Sequence, residues 1–440
     1  MTDSKTLRLL SELVPISTVN DPVNSVKPNK DCVKFIQETL EDEGVPCEIL
    51  ENVGFFSTFT RLGEGAPGLL FLAHYDTVPV DASEWKKPPF QLTVENGKAY
   101  GRGALDDKAN VASIISALSE LKETTFNRSL LCAFTGDEEI GGARGAAFIR
   151  DTLIQKNELP LTMVNGDGMG LSLIVRRRNS FDVSLEAKKM TSDASRGTQT
   201  REFKTHTASH HAAYFTPGVD SHCLLEASKF FRTHRDYRVL DVKGGFIKRN
   251  IIPSHCEVAY LPYLIQEGNR ERLSPDSLTN LVRALLPLSR VNIASEFSEF
   301  GITISPNVLR YDDEKIIIEF DVRAMTNDKC AVESAFMYAL AKLLPDVKLS
   351  IEVGGSFLNT PSDSHVVKAG VQTLRELGIE ACCVEREGAS DARHFAALGI
   401  PTIDFGPNGG NMHGPDEYVE VDALNLLPRF YSRIANHLLT

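Results

Sequence analysis

Histidine and acidic residues occur at five short sites along the chain, with spacings that suit metal chemistry. At the first site, His74 and Asp76 follow the apolar run 69–73. Side chains two positions apart on an extended segment point the same way. His74 can therefore bind a metal ion while Asp76 holds the other ring nitrogen and fixes its tautomer. The other sites contribute Asp106, the pair Glu138 and Glu139, Asp167 and His413.

This donor set suits a pair of divalent cations. Imidazole and carboxylate bind borderline-hard ions such as zinc without help from a thiolate. Two such ions a few ångströms apart lower the pKa of a water molecule and polarise a carbonyl group. Of the adjacent Glu138 and Glu139, one would be a ligand and one a free carboxylate, which can carry a proton to a leaving amine. The pattern predicts hydrolysis of an amide bond.

Each site taken alone has a simpler interpretation. A His-x-Asp or Glu-Glu pair is commonly a surface or capping feature, residues 101–108 could be a turn before a capped helix, and Asp167 could end a strand. Their shared placement favours the metal site, because each site in the first half of the chain follows a predicted strand or begins a predicted helix. Open α/β sheets build their active sites at the carboxyl ends of strands.

Strands that alternate with helices must position these residues. Strand-like apolar runs span 69–73, 130–134, 161–165 and 401–405, and helical stretches span 31–43, 106–121, 142–154, 364–377 and the chain from about 422. Such alternation is typical of βαβ units. The predicted fold class is α/β, with a mainly parallel twisted sheet and flanking helices.

The middle of the chain has a different pattern. It contains predicted helices at 219–232, 274–288 and 330–344, predicted strands at 316–325 and 347–353, and a polar stretch at 190–207 that we expect to be a mobile loop. This pattern indicates a separate α+β unit. We therefore predict a catalytic metal-binding domain from residues 1–178 and 356–440, with an inserted lid or dimerisation domain at 179–355.

Composition excludes several classes of protein. The 440 residues carry a formal net charge of −12, which argues against nucleic acid as a partner. No apolar run approaches the width of a bilayer, and residues 1–5 lack the pattern of a signal peptide, so we expect no membrane partner. The eight cysteines have no CxxC spacing, which is typical of a reducing compartment. We expect a cytoplasmic protein.

Five strings of the sequence together resemble one known family. They are H-Y-D-T-V-P from residue 74, G-R-G-A-L-D-D-K from residue 101, G-D-E-E-I-G-G from residue 136, G-A-S-D-A-R from residue 388 and M-H-G-P-D-E from residue 412. The family is that of the cocatalytic zinc amidohydrolases and peptidases, which includes acetylornithine deacetylase, succinyl-diaminopimelate desuccinylase, aminoacylase and the glutamate carboxypeptidases. The resemblance covers nearly the whole chain.

The resemblance implies a role for each candidate ligand. Asp106 would bridge two divalent ions, for which zinc is favoured and cobalt or manganese would also suit. His74 and Asp167 would complete one ion, and Glu139 and His413 the other. The family also implies a cis peptide bond after Asp106.

Further residues are implied to act in catalysis and in substrate binding. Glu138 resembles the general base of the family. It cannot easily bind the metal together with Glu139, because the side chains of neighbouring residues diverge. Asp76 would support the metal-bound histidine. The loop that contains Gly388 and Ser390 lines the reacting end of the substrate in the family.

The inserted domain carries residues that resemble those of the family's lid. His211 fits the lid histidine, which the family donates across a dimer interface to the developing oxyanion, although His206 or His210 could hold this role. Asn250 would lie near the substrate. Arg323 resembles an arginine that binds a substrate carboxylate, and its alternative is a salt bridge on an exposed strand face. A homodimer through the inserted domain follows from the resemblance.

Two additions depart from simple members of the family. Residues 264–314 separate the Asn250 segment from the Arg323 strand, and 190–207 looks long. Both lie in the predicted lid, so they leave the dimer contact, the substrate selection and the lid histidine open. They leave the metal site untouched.

The predicted enzyme hydrolyses an amide bond in an N-acyl amino acid, as succinyl-diaminopimelate desuccinylase and acetylornithine deacetylase do. An alternative is a dipeptidase or carboxypeptidase that uses the same site on a short peptide. A non-catalytic binding protein would have lost a ligand or the base, yet Glu138 and all five candidate ligands are present. Zinc aminopeptidases with similar ligands lack the long insert that separates Asp167 from His413 here.

Overall fold

A computed structural model of the chain describes residues 4–189, 197–207, 211–262, 277–295, 297, 301–344 and 346–440. The chain divides into two compact units. The first unit consists of Met1–Arg177 and Leu358–Thr440, and the second consists of Arg178–Phe357. Both ends of the chain therefore build one unit, and the middle of the chain builds the other.

The helices and strands of the described residues are numbered in chain order. The helices are α1 Lys5–Leu13, α2 Asp31–Asp42, α3 Lys108–Leu121, α4 Ala146–Lys156, α5 Cys223–Thr233, α6 Ser277–Leu288, α7 Lys329–Leu343, α8 His365–Glu376, α9 Ala392–Ala396 and α10 Val421–Leu439. The strands are β1 Cys47–Asn52, β2 Phe55–Leu62, β3 Pro67–His74, β4 Thr93–Glu95, β5 Lys98–Tyr100, β6 Ser129–Thr135, β7 Thr162–Asn165, β8 Leu173–Arg177, β9 Asn179–Lys188, β10 Gln199–Lys204, β11 Arg238–Gly244, β12 His255–Leu261, β13 Thr303–Tyr311, β14 Lys315–Ala324, β15 Lys348–Val353, β16 Leu358–Asn359, β17 Cys383–Arg386, β18 Thr402–Asp404, β19 Gly409–Gly410 and β20 Tyr418–Glu420. Among these helices, none is both long and apolar enough to cross a bilayer.

The first unit is built on a nine-stranded sheet in the order β1-β2-β6-β3-β7-β18-β8-β16, with β17 also paired to β8. Its central strands β6, β3, β7 and β18 are parallel, and antiparallel pairs flank them. The predicted α/β class with a mainly parallel sheet is therefore confirmed. A small antiparallel sheet, β19-β20-β5-β4, completes the unit.

The central strand β3 is buried along its whole length because it supplies apolar side chains to both faces of the sheet. Leu69, Phe71 and Ala73 join the core formed with helices α1, α2, α3, α8 and α10. Leu70 and Leu72 point the other way, into a second core formed with α4 and α9. This period of two explains why the run 69–73 is apolar at every position.

Two predicted helices begin later than the sequence pattern indicated. Helix α3 begins at Lys108 rather than at residue 106, because Asp107 has a non-helical backbone (φ −134°, ψ 19°). Helix α4 begins at Ala146 rather than at residue 142, because Gly141 and Gly142 have positive φ angles of 110° and 66°. Glycine adopts such angles without steric cost. Both shifts lengthen the loops that carry acidic residues.

The second unit contains two antiparallel sheets, one in the order β13-β14-β9-β15 and one in the order β10-β12-β11. Strand β9 alternates buried and partly exposed residues, as a strand does when only one of its faces is covered by a core. Helices α5, α6 and α7 contribute to that core. The predicted helix 274–288 is present as α6 from Ser277, and residues 274–276 lie outside the described residues.

The prediction of a mobile loop at 190–207 is wrong for the second half of that stretch. Residues 190–196 lie outside the described part of the chain, but β10 pairs with β12 from Gln199 opposite Tyr260 to Lys204 opposite His255. Phe203 alone of this strand is buried. An edge strand that exposes nearly all its side chains has a polar sequence, and the pairing partner lies far along the chain. The local sequence therefore gave no strand pattern.

The two-faced core predicts that Leu70 is important for stability. We expect Leu70→Ala to lower the free energy of unfolding by about 2–5 kcal/mol, because it leaves a cavity in a packed layer. Leu161→Ala is the matched control, since Leu161 is 59% exposed and Leu70 is 0% exposed. Chemical denaturation followed by circular dichroism measures both. Equal losses in the two variants would contradict the assigned core.

Candidate metal centre

The carboxyl ends of three neighbouring strands bring candidate ligands to one edge of the sheet. Strands β6, β3 and β7 lie side by side and run parallel. His74 is the last residue of β3. Glu138 and Glu139 follow β6 in a short 3-10 helix, Glu138–Ile140, and Asp167 follows β7. The sequence thus folds so that four of its candidate residues meet where an open α/β sheet places its active site.

Asp106 joins these residues to a segment near the other end of the chain. It lies just before α3, and its peptide bond with Asp107 is cis. The Oδ1 atom of Asp106 lies 2.9 Å from Nε2 of His74, and its Oδ2 atom lies 3.0 Å from Nε2 of His413. The two oxygens of one buried carboxylate therefore face two different histidines.

The ligand atoms form two groups that share Asp106. His74, Asp106 and Asp167 offer atoms that all lie within 4.8 Å of one another. Asp106, Glu139 and His413 form a second group with the same spacing. All five residues that the sequence predicted as ligands are brought together, each in the group that the family resemblance implies.

The donor atoms fit divalent cations. Oε1 of Glu139 is buried and accepts no hydrogen bond from the described residues, although Nε2 of His413 lies 3.2 Å away. A buried carboxylate oxygen that has only one imidazole nearby is costly. Burial also raises the pKa of Asp167 well above its usual value, despite the charge of Arg177. Added positive charge at these atoms would relieve both costs, as two histidines and three carboxylates can hold two ions.

The histidines carry the compensating charge when no ion is bound. Burial opposes the charged form of His74, but its contacts with Asp106 and Asp76 raise the pKa of the ring well above its usual value. Burial likewise opposes the charge on His413, whose pKa Glu139 and Asp106 raise. Burial alone would raise the pKa of Asp106, but hydrogen bonds with His413 and His74 lower it. Metal binding would therefore release protons from this cluster.

Asp76 contacts both His74 and the segment of the two glutamates. Nδ1 of His74 lies 3.1 Å from the backbone carbonyl of Asp76 and 3.4 Å from its carboxylate, on the ring nitrogen that the sequence assigned to Asp76. The same carboxylate also accepts the backbone N–H groups of Glu138 at 3.1 Å and Glu139 at 3.2 Å. The carboxylate thereby links the histidine strand to both glutamates.

Glu138 belongs to neither ligand group. Its carboxylate lies 3.9 Å from Nη2 of Arg393. Burial and the charge of Asp391 raise the pKa of Glu138 to about 8, against the lowering effects of His74 and Arg393. A carboxyl group with such a pKa can hold a proton near neutral pH.

Arg177 is a residue of this site that sequence reasoning missed. Its guanidinium donates to the carboxylate of Asp404 and to the backbone carbonyl of Asp167, and its Nη1 donates to the carbonyl of Gly388 at 3.0 Å. Ser390 donates to the same Asp404 carboxylate at 2.9 Å. Gly388 and Ser390 are thus tied to the Asp167 loop. The only signal in the sequence was the run of three arginines at 176–178. That run indicated a change in the pattern of the sequence, but it did not indicate which residues Arg177 contacts.

Two of the predicted lid residues lie together in the second unit. His211 forms a β-bridge with Ile251, directly after Asn250. The Oδ1 atom of Asn250 is buried and accepts no hydrogen bond from the described residues. Nδ1 of His211 accepts the N–H of Ala213 at 3.2 Å, which places the proton of a neutral ring on Nε2. Of the alternatives for this role, His206 is exposed and His210 lies outside the described residues.

One edge of the Arg323 guanidinium is bound to a neighbouring carboxylate. Its Nε and Nη2 donate to the two oxygens of Asp321 at 2.8 and 2.9 Å, and both side chains are buried. Residues two apart on a strand share a face, which explains the pairing. The salt-bridge alternative is therefore present, although it is buried and not on an exposed face as expected.

Two ligand groups with a common aspartate, at the carboxyl edge of an α/β sheet, are what a metal-dependent hydrolase needs to activate water. That class contains many families. This chain belongs to Peptidase family M20/M25/M40, whose sequence model matches residues 70–437. The family predicted from the five sequence strings is confirmed.

Individual proteins of known sequence or structure extend this finding. Succinyl-diaminopimelate desuccinylase of Roseobacter denitrificans is 26% identical over 441 residues, which cover 97% of each chain. Aminoacylhistidine dipeptidase of Vibrio alginolyticus has a similar structure, with a TM-score of 0.70, 14% identity, and coverage of 99% of this chain and 97% of that one. The M20 family metallo-carboxypeptidase Sso-CP2 of Sulfolobus solfataricus has a TM-score of 0.64 and 19% identity over 99% of both chains. These two structures share the fold with this chain.

The shared aspartate predicts a graded loss of metal. Asp106→Asn should lower the metal content from two ions per chain towards none, because both ligand groups lose a residue. His413→Ala should lose one ion, because only one group is affected. Asp422→Asn, at an exposed helix position, is the matched control and should keep both. Elemental analysis after dialysis measures the ratio. Two ions retained by Asp106→Asn would contradict a bridging role.

Proposed function

We propose that the protein is a dinuclear metal-dependent hydrolase, with zinc as the favoured ion, that cleaves the amide bond of an N-acyl amino acid. One observation carries the proposal. The two oxygens of Asp106 face histidines of two different ligand groups, while Glu138 lies beside both groups and belongs to neither. The relative named as a succinyl-diaminopimelate desuccinylase, which matches over nearly the whole chain, supports this choice of substrate class.

The ions would be held by the two groups already described. His74 and Asp167 would hold one, Glu139 and His413 the other, and Asp106 would contact both. Divalent cations at these positions supply positive charge that lowers the pKa of an attacking water and polarises the scissile carbonyl. The donor set contains no thiolate, which suits zinc and also cobalt or manganese.

Glu138 would act as the general base and then as the general acid. Its backbone N–H donates to Asp76, and its carboxylate lies 3.9 Å from Nη2 of Arg393. It takes a proton from the attacking water and returns that proton to the leaving amine. The pKa of about 8, which burial and Asp391 produce, favours holding the proton between these two steps. Cations bound nearby would lower this pKa by Coulomb attraction.

Residues of the second unit are assigned to substrate contacts by the family resemblance. His211, whose Nδ1 accepts the Ala213 amide N–H, would be the lid histidine that donates to a developing oxyanion. The amide oxygen of Asn250, which accepts no hydrogen bond from the described residues, suits a donor group of the substrate, and the N–H groups of Arg323 that Asp321 does not use suit a substrate carboxylate. Gly388 and Ser390 would line the acyl end. A homodimer through this unit and a cytoplasmic location stay predictions from the sequence.

A dipeptidase or carboxypeptidase is the alternative. The similar structures of an aminoacylhistidine dipeptidase and a metallo-carboxypeptidase favour keeping it, because the same residues would cleave a terminal peptide bond. The two candidates differ in the acyl part of the substrate alone. They share the metal site and the base.

The role of Glu138 can be separated from metal binding. We expect Glu138→Gln to lower kcat by about 10²–10⁴-fold, because the variant keeps the shape and loses the proton acceptor, while its metal content stays at the wild-type level. Glu139→Gln should instead lose metal. Glu123→Gln, an exposed position, is the matched control. Wild-type turnover by metal-loaded Glu138→Gln would reject the assigned base.

A substrate panel decides between the two candidate functions. Zinc-loaded protein should hydrolyse N-succinyl or N-acetyl amino acids, with kcat/KM well above the value for dipeptides that share the same amino acid. Amine release, followed by mass spectrometry, measures both series, and Glu138→Gln gives the background. Turnover of dipeptides alone would replace the deacylase by the dipeptidase or carboxypeptidase.

A further inference from the structure

A buried ion pair joins two distant stretches of the first unit next to the metal centre. Arg102 lies in the loop before α3, and Glu417 lies just before β20. Nη1 of Arg102 donates to Oε2 of Glu417, and the two side chains are 2% and 0% exposed. Neither residue is in a ligand group.

The carboxylate end of the pair holds the segment of the shared aspartate. Oε1 of Glu417 accepts the backbone N–H of Leu105 at 2.9 Å and that of Asp106 at 3.1 Å. The backbone N–H of Gly101 also donates to the carbonyl of Glu417 at 2.9 Å. The position of the Asp106 backbone is therefore set by a residue more than 300 positions away along the chain.

The guanidinium end holds the segment of the fifth ligand. Nη2 of Arg102 donates to the carbonyl of His413 at 3.1 Å and to that of Gly414 at 3.3 Å. His413 needs this support, because its φ angle of 61° is left-handed, which is unfavourable for a residue with a Cβ atom. Its side chain is also 39% exposed, whereas that of His74 is 2% exposed. Little packing therefore fixes the imidazole of His413.

We propose that Arg102 and Glu417 are positioning residues that hold Asp106 and His413 at the separation which the second metal ion requires. The inference rests on the proposed function. The hydrogen bonds of Glu417 fix the backbone of Asp106, and those of Arg102 fix the backbone of His413. The ion pair between Arg102 and Glu417 links the two segments. The pair therefore acts on the ligand group of Asp106, Glu139 and His413.

A general contribution to the stability of the fold explains the Arg102–Glu417 pair less well than a positioning role does. Replacement of a buried ion pair by apolar or neutral groups is often neutral or stabilising, because desolvation offsets the attraction. Removal of the residues that orient metal ligands, in contrast, commonly weakens metal binding by about 10–100-fold. The two explanations therefore predict different results for metal affinity and for folding.

The test is zinc affinity measured by competition with a chelating dye. In the double variant Arg102→Met/Glu417→Gln, which removes both charges together, we expect one of the two binding steps to weaken by about 10–100-fold. His413→Ala identifies that step, since it removes the ligand itself. In Arg102→Lys, a single ammonium replaces the two separate nitrogens that bind Glu417 and the two carbonyls, so the same step should weaken.

A matched control uses the ion pair of Arg61 and Glu158, whose Nη1 and Oε1 atoms lie 2.7 Å apart. Arg61 is paired with Leu131, near the start of β6, and Glu158 precedes β7, so both lie at the opposite edge of the sheet from the ligands. Arg61→Met/Glu158→Gln should bind both ions with wild-type affinity. Circular dichroism of the metal-free proteins should give the same spectrum for all variants.

The possible results are distinct. A folded Arg102→Met/Glu417→Gln protein that binds both ions with wild-type affinity would overturn this inference alone. Loss of folding in both that protein and Arg102→Lys would also overturn it, since the pair would then hold the domain together. Wild-type protein that binds no zinc would overturn the proposed function, and this inference with it.

Discussion

The structure depends on the position of one buried carboxylate. Each oxygen of Asp106 lies about one hydrogen-bond length from a different imidazole, at 2.9 and 3.0 Å. The carboxyl groups of Asp167 and Glu139 lie on the two sides. A cluster of buried carboxyl groups is fully ionised only if positive charge lies among them. Protons on the histidines provide that charge in the metal-free state, and divalent cations would provide it in the working enzyme.

The rest of the first unit serves to keep these groups in place. His74 ends a parallel strand, Asp167 and the two glutamates follow closely after neighbouring strands, and the strands themselves are packed on both faces. Ligands close to such rigid elements hold their geometry better than ligands far from them. Asp106 and His413 have no strand to hold them. Their segments are fixed instead by hydrogen bonds that cross long stretches of sequence, through Arg102 and Glu417.

Much of this arrangement could be predicted from the sequence, and the limits have physical causes. The apolar run 69–73 and the acidic residues after the strands are local patterns, which period and residue type reveal. The two clusters of candidate ligands match the pairings that the family resemblance supplied, which spacing alone does not contain. Strand β10 was missed because an edge strand needs few apolar residues.

Long-range polar partners were the other limit. The contacts of Arg177 with Gly388 and the pairing of Arg102 with Glu417 join residues more than 200 positions apart, and nothing in either local sequence names the partner. Arg323 was expected to be available for a substrate, but Asp321, two residues away, occupies one edge of its guanidinium. A short-range rule could have predicted that pair, since alternate residues of a strand share a face.

Anomalous diffraction from crystals grown with zinc would test the central claim most directly. Data collected on both sides of the zinc absorption edge should give two peaks in the first unit, one beside each oxygen of Asp106, with His74 and Asp167 at one peak and Glu139 and His413 at the other. A single peak, or two peaks that leave either oxygen of Asp106 without a metal contact, would contradict the account.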